Sequence, residues 1–414
     1  MKTKKTIIQY ILPTIVSLFI LGDLFSISLF QYVDEVLEVL SIIWLSYAVI
    51  NKRNTNFFIC LIAMFIIGVC GNIFSQYQRS IMMILEDYVL VLKFPIVFIA
   101  LMDYVKYKKL DVEKSINYLY KLFCCLSIII FFDCLYKYIT IGGRVTFYKN
   151  EYAGTAGIFS FLFSYFIYSK NKYEKKKIRL HIYIFLIINF LVALMTQSTI
   201  SQVMYIIVFG YAFYDNHIHP YLKGNYFLYF ISIVGIFCVA YVSYDKILAY
   251  FTVSDAPRYL FFSNGFKLAN TYFPFGVGLG LFGGSIAEKY YSPVYYTLGF
   301  NNIWTVRKDG GFLIDTFFPT IIGEFGYIGT IIYLLMLFKC YKYIFGKRLR
   351  LNFNRVVLLA FLLGGLTSNF LNSSIGMTII ILFVIINQKE VIYQKKIIIN
   401  ENDKKTMYYG AKTL

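Results

Sequence analysis

Charge is scarce in this sequence: 15% of its 414 residues are Asp, Glu, Lys or Arg, where soluble domains carry nearer a quarter. Hydrophobic residues make up 59% and fall in blocks, most of them about 20 residues long and so able to cross a bilayer. That excludes an ordinary soluble enzyme and points to an integral membrane protein. Cysteine is also sparse. All seven (Cys60, Cys70, Cys124, Cys125, Cys134, Cys238, Cys340) lie in or beside apolar blocks, which excludes a disulfide framework and leaves free thiols in a core. Of only seven prolines, Pro257, Pro274, Pro293 and Pro319 fall in one stretch, about 254–329. That stretch is the one long interruption in the apolar pattern.

The net charge of +18 would suit a nucleic-acid partner if the basic residues formed one face. They sit instead in short clusters between apolar blocks, the pattern of cytoplasmic loops that fix membrane orientation. The apolar runs predict an all-α polytopic protein of about twelve spans: 6–29, 33–50, 56–75, 80–103, 117–141, 152–169, 180–196, 200–214, 225–244, 316–341, 355–371 and 374–388. Lys2, Lys4 and Lys5 precede the first run as in a signal peptide. The run continues without a small-residue cleavage site, so an uncleaved first span is expected.

Six Lys or Arg fall in each of 170–179, 339–355 and 389–412, against only Arg79, Arg144 and Lys149 in the short loops of opposite parity. This asymmetry predicts both termini in the cytoplasm, with a cytoplasmic tail at 389–414. It also places a large extracytoplasmic loop at 245–315 and a smaller one at 142–151. No internal repeat and no separate soluble domain is visible, so residues 1–414 read as one membrane domain. His181, His217 and His219 fall on the cytoplasmic side, and no metal-ligand cluster is expected.

Several ionisable residues fall inside the predicted spans: Asp23, Glu86, Asp87 and Asp133 in the outer half, and Lys93 near the middle beside Pro95. An unpaired charge there costs roughly 2.5–3.5 kcal/mol, so each needs a partner or a wet cavity. Glu86 and Lys93 are spaced to share a helix face. Salt bridging between spans and the lining of a polar cavity both fit.

In the long loop, Ser254 or Asp255 reads as a helix cap, with Pro257 in the first turn. The following residues read as a short amphipathic helix. Arg258 opposes the dipole of that helix, yet beside backbone N–H groups it suits an anion such as phosphate. A solvated or headgroup-facing arginine is the other reading. Gly278-x-Gly280-x-x-Gly283 matches a dinucleotide-binding pattern by letter, but no βαβ context surrounds it. Tight turning, or close approach to a bulky ligand, explains the glycines better. Tyr290, Tyr291, Tyr295, Tyr296, Phe300 and Trp304 suit either interface anchoring or stacking on sugars. Asp315 reads as the cap of the following span or as a general base.

Arg258 opening a helix, FPFGVGLGLFG at 273–283, and Asp315 before GEFGYIG at 323–329 together resemble the O-antigen ligase and polysaccharide polymerase (Wzy-type) superfamily. The loop GGRVTFYKNEYAG at 142–154, with Arg144, is similar to that family's first arginine-bearing loop. Asp315 stands where the ligase branch has histidine, which points towards the polymerases. The arginine, ten residues, glycine pattern of some polymerases is absent at Arg144 and Arg258.

The resemblance implies a glycosyltransferase of the C-type fold that needs neither metal nor cofactor. It would transfer a growing capsular or exopolysaccharide glycan from undecaprenyl diphosphate to the non-reducing end of a new lipid-linked repeat unit, with inversion. Asp315 would be the base and Arg258 the main diphosphate ligand, with Arg144, Arg307, Lys308, Gly278 and Gly280 also contacting substrate. Implied partners are the lipid-linked glycans, the bilayer, and the chain-length regulator and flippase of the same pathway; nucleic acid is not among them. A flippase for the same lipids and a glycan ligase are the competing expectations.

Overall fold

The structure is a computed structural model describing residues 2–27, 30, 32–77, 79–108, 113–148, 153–173, 180–213, 253, 255–314, 316–345, 353–364 and 369–388. Among them every regular element is helical: α1 (Lys2–Phe25), α2 (Val33–Ile50), α3 (Thr55–Ser75), α4 (Ile81–Lys108), α5 (Glu113–Thr140), α6 (Ala153–Tyr173), α7 (Leu180–Met195) and α8 (Thr199–Phe213). Then follow α9 (Pro257–Thr271), α10 (Ser285–Lys289), α11 (Pro293–Thr297), α12 (Phe318–Phe345) and α13 (Phe353–Gly364), and finally α14 (Ser374–Gln388). Helices stand at eleven of the twelve predicted span positions. The ninth, 225–244, lies outside the described residues.

By length and composition α3, α5 and Phe318–Lys342 of α12 can each cross a bilayer; α1, α7, α8, α13 and α14 carry shorter apolar runs. The distribution of side chains is that of a membrane-embedded protein. On α2, Val36, Val39, Leu40, Ile43, Tyr47 and Ile50 are exposed, while Asp34, Glu38 and Ser41 are buried. Water would favour the reverse, whereas a hydrocarbon surround rewards apolar residues outside and paired polar groups inside. α3 follows the same rule, with Ile59, Ile62, Ile66 and Phe74 outside and Asn72 inside.

The helices form two compact units. The first comprises residues 1–31, 105–202 and 378–414, the second 32–104 and 203–377. In the first, α5, α6 and α7 pack on one another and α1 lies on α5. Phe123 stacks on Phe163 at 4.6 Å, and Tyr165 meets Phe383 of α14 at 5.3 Å.

In the second unit, Lys93 of α4 is almost fully buried. Its Nζ lies 2.6 Å from Asp34 Oδ2 and 3.9 Å from Glu38 Oε2 on α2. Bridging between helices is thus the solution at Lys93, whose partners lie on α2 and not on its own helix. Glu86 instead faces Lys289, at 3.4 Å, because inter-helix neighbours and not intra-helix spacing decide which charges meet. At the far end of the same helices Asp103 gathers Arg53 (2.7 Å), Trp44 (3.0 Å) and Asn54 (3.2 Å).

α12 is interrupted at Gly326, whose φ of 61° and ψ of −163° are not helical. A break there removes the usual acceptance of N–H groups by the preceding carbonyls, and in a membrane those carbonyls need replacements. The long loop supplies them: Val277 N–H donates to Gly323 O at 2.8 Å and Gly278 N–H to Glu324 O at 3.0 Å. The kink therefore forms the seat on which the glycine run lies.

Candidate functional site

The stretch from Pro257 to Leu313 folds over its own apolar core. Leu260, Phe261, Phe282, Tyr295, Phe300 and Val306 belong to this core, with Tyr295 stacked on Phe300 at 5.3 Å and Phe261 edge-on to Phe300 at 5.7 Å. So this segment, α9 included, is a packed element with defined surfaces, and α3 and α12 hold it. Gly265 of α9 abuts Pro319, at 3.0 Å from its carbonyl to a Cβ built on the glycine. Five residues later Asn270 accepts from the Tyr327 hydroxyl at 2.7 Å. The two contacts advance in the same order along both helices, so α9 and α12 run parallel. The first turn of α9 and the chain entering α12 therefore lie at the same end.

The glycine run is fixed by side chains from four helices and by Arg79. Asn72 of α3 accepts from Leu279 N–H at 2.9 Å and donates to Leu279 O at 3.0 Å. Asp87 of α4 accepts from Gly280 N–H at 2.9 Å. One oxygen of Glu324 on α12 accepts from both Leu281 and Phe282, at 3.0 and 2.9 Å. Gly283 N–H donates to the Tyr295 hydroxyl at 2.9 Å, and Arg79 Nε donates to Gly280 O at 3.1 Å. Burial pushes the Tyr295 phenol above its ordinary value, keeping it a neutral acceptor. Gly278 has φ +102°, and its backbone touches α3 at Gly71, where a Cβ would lie 2.8 Å from the Gly278 Cα. The close approach anticipated for the glycines is thus made to a helix of the protein, and the N–H groups of Gly278 and Gly280 are spent on Glu324 and Asp87. Asn72→Ala removes both bonds to Leu279 and is expected to cost about 2 kcal/mol, read as a lower melting temperature in detergent.

The candidate cations of this unit gather at the α9 end. Ala256, with no side-chain oxygen to offer, stands at the cap and Pro257 occupies the first helical position. This corrects the expectation of a Ser254 or Asp255 cap. Asp255 falls one residue too early, and its carbonyl accepts from Thr305 Oγ1 at 3.0 Å; Ser254 lies outside the described residues. That bond ties the turn at 303–310 to the start of α9. It brings Arg307 and Lys308, both exposed, to the same edge as the partly exposed Arg258. Trp304, 67% exposed, sits on that turn. Asp315 lies outside the described residues. Its neighbour Thr316 is buried and accepts through its carbonyl from Thr320 Oγ1 at 3.3 Å.

Arg144 belongs to the first unit, where its loop is held independently. Lys137 Nζ donates to Thr146 O and Tyr148 O at 2.8 and 2.7 Å, and Asp133 accepts from Tyr148 N–H at 2.9 Å. Val145 and Phe147 are buried, the latter edge-on to Phe25 at 5.4 Å. Arg144 is left exposed at the tip, after Gly142 and Gly143 with φ of +74° and +69°.

Sequence reasoning identified neither Asn72 and Glu324 nor Arg79 and Tyr295 as the holders of the glycine run. Spacing shows Asp87 only as a charge in need of a partner. A signal existed for Glu324, a carboxylate between two glycines inside an apolar run. No protein-family model, curated protein or solved structure matches this chain.

Proposed function

We propose that the protein is a polysaccharide polymerase, a membrane glycosyltransferase that passes a growing glycan from a lipid diphosphate to a new lipid-linked repeat unit. The observation that carries this reading is the Thr305–Asp255 bond, which ties the turn bearing Arg307 and Lys308 to the start of the helix whose first turn carries Arg258. The parallel course of α9 and α12 puts the start of α12 at the same end as the first turn of α9. Guanidinium groups hold a diphosphate bidentately, and their value rises as the leaving group gains charge.

In the reaction, Asp315 takes the proton of the acceptor hydroxyl. The acceptor oxygen bonds to the anomeric carbon as the carbon–oxygen bond to the diphosphate breaks, with inversion. Undecaprenyl diphosphate leaves with the bonding electrons, and the phospho-sugar bond supplies the energy. Arg258 is the principal diphosphate ligand, Arg307 and Lys308 assist, and Arg144 binds substrate from its own loop. Gly278 and Gly280 shape the loop that carries these groups. In the cell the long loop faces outward and both termini face the cytoplasm, so the enzyme works downstream of a flippase and beside a chain-length regulator.

Purified protein in liposomes, given undecaprenyl-diphosphate-linked repeat units, is expected to release undecaprenyl diphosphate and lengthen the glycan. Asp315→Asn is expected to slow this about a hundredfold with the melting temperature unchanged, since α12 begins only at Phe318 and asparagine is close to aspartate in size. Movement of the lipid between leaflets without lengthening would assign a flippase instead.

A further inference from the structure

Asp87 and Glu324 are both 0% exposed. They hold consecutive amides of the glycine run, Gly280 by Asp87 Oδ2 and Leu281 by Glu324 Oε1. The two carboxyl groups lie side by side: a Cβ built on Gly284 would stand 2.7 Å from Asp87 Oδ1 and 3.9 Å from Glu324 Oε1. Among the described residues no group donates to Asp87 Oδ1 or to Glu324 Oε2. Two carboxylates cannot join by a hydrogen bond unless one carries a proton, and two bare charges in contact oppose each other. Arg79, anchored through Nε on Gly280 O, lies beside the pair. Burial lowers this guanidinium, and the proximity of Glu324, Tyr295 and Asp87 works the other way. One guanidinium, two carboxyl groups and one proton sum to zero charge.

We infer that Asp87 and Glu324 share a single proton and together act as positioning residues, locking the glycine run against α4 and α12. The inference draws on the proposed function only in treating the segment so held as the carrier of the reacting groups. Chemistry at the pair follows from its hydrogen bonds. In Glu324→Gln the amide oxygen accepts from Leu281 and Phe282 while its NH2 donates to Asp87 Oδ1. In Asp87→Asn the amide accepts from Gly280 and donates to Glu324 Oε2. Each single substitution copies the protonated state and keeps one negative charge for Arg79. The double substitution keeps the shape but leaves Arg79 without its counter-charge.

The test is made on the full chain in detergent, with readouts independent of activity. Infrared difference spectra of wild type against each single variant are expected to show loss of one and the same deuterium-sensitive carboxylic-acid carbonyl band. Hydrogen exchange at amides 278–283 is expected to stay at wild-type rates in both single variants and to speed up at least about tenfold in Asp87→Asn/Glu324→Gln. Absence of an acid band in either difference spectrum would mean that both groups are ionised and would overturn the inference. So would release of the run by either single substitution. If the double variant does not fold, the spectra and the exchange rates of the single variants still decide. Glycan lengthening, assayed separately, would fail without touching these readouts if the polymerase reading alone were wrong.

Discussion

Arg258→Ala is expected to leave the protein folded and abundant while glycan lengthening falls about a thousandfold, because a charge-assisted, bidentate contact to the leaving diphosphate is lost where charge develops. The side chain is partly exposed on the first turn of α9, and the packing of that helix rests on Leu260, Phe261, Leu268 and Ala269. Removing it should therefore not disturb the core. In cells the readout is accumulation of single lipid-linked repeat units with a wild-type amount of protein in the membrane. Arg258→Lys is expected to recover only part of the rate, since an ammonium cannot reproduce the guanidinium fork. Normal long-chain polysaccharide in Arg258→Ala cells would remove the arginine from the reaction.

Gly278→Ala is expected to act through the fold alone. At φ +102° the backbone is in a region costly for any residue with a Cβ, and the added atom would overlap the backbone of Asn72. Strain and overlap together amount to about 4 kcal/mol. The expected outcome is a sharp fall in melting temperature and in recovered protein, with activity per surviving folded molecule reduced only as far as the loop has shifted. Gly299→Ala is a suitable contrast, because nothing lies within 4 Å of the added Cβ, so only the strain of φ +75° remains.

The helices were legible because a span must satisfy its backbone internally, and apolar blocks with basic ends announce that directly. Pro257 at the first helical position and the turning glycines at 278, 280 and 283 were also readable, since covalent geometry alone dictates them. Pairings between helices were not. Periodicity states which face of α4 carries Lys93, but only the neighbour decides that its partner is Asp34 on α2 and not Glu86 on its own helix. The same limit hid Glu324 and Asn72. Their function as acceptors depends on a loop that begins with Pro274 and returns to helices far away in the chain, and a kink at Gly326 that no apolar pattern records. The cap of α9 falls at Ala256 and not at Ser254 or Asp255 for a related reason. The Thr305 hydroxyl holds the Asp255 carbonyl, a tertiary contact invisible to a local rule.

The buried bridge between α2 and α4 bears on how the chain is made. Asp34 and Glu38 leave the ribosome before Lys93, with α3 between them, so α2 is born carrying two carboxylates whose counter-ion does not yet exist. Such a helix gains little by entering lipid alone. It should linger at the insertion machinery until α4 arrives and then be released with it, so that α2 enters lipid only in company with its counter-ion.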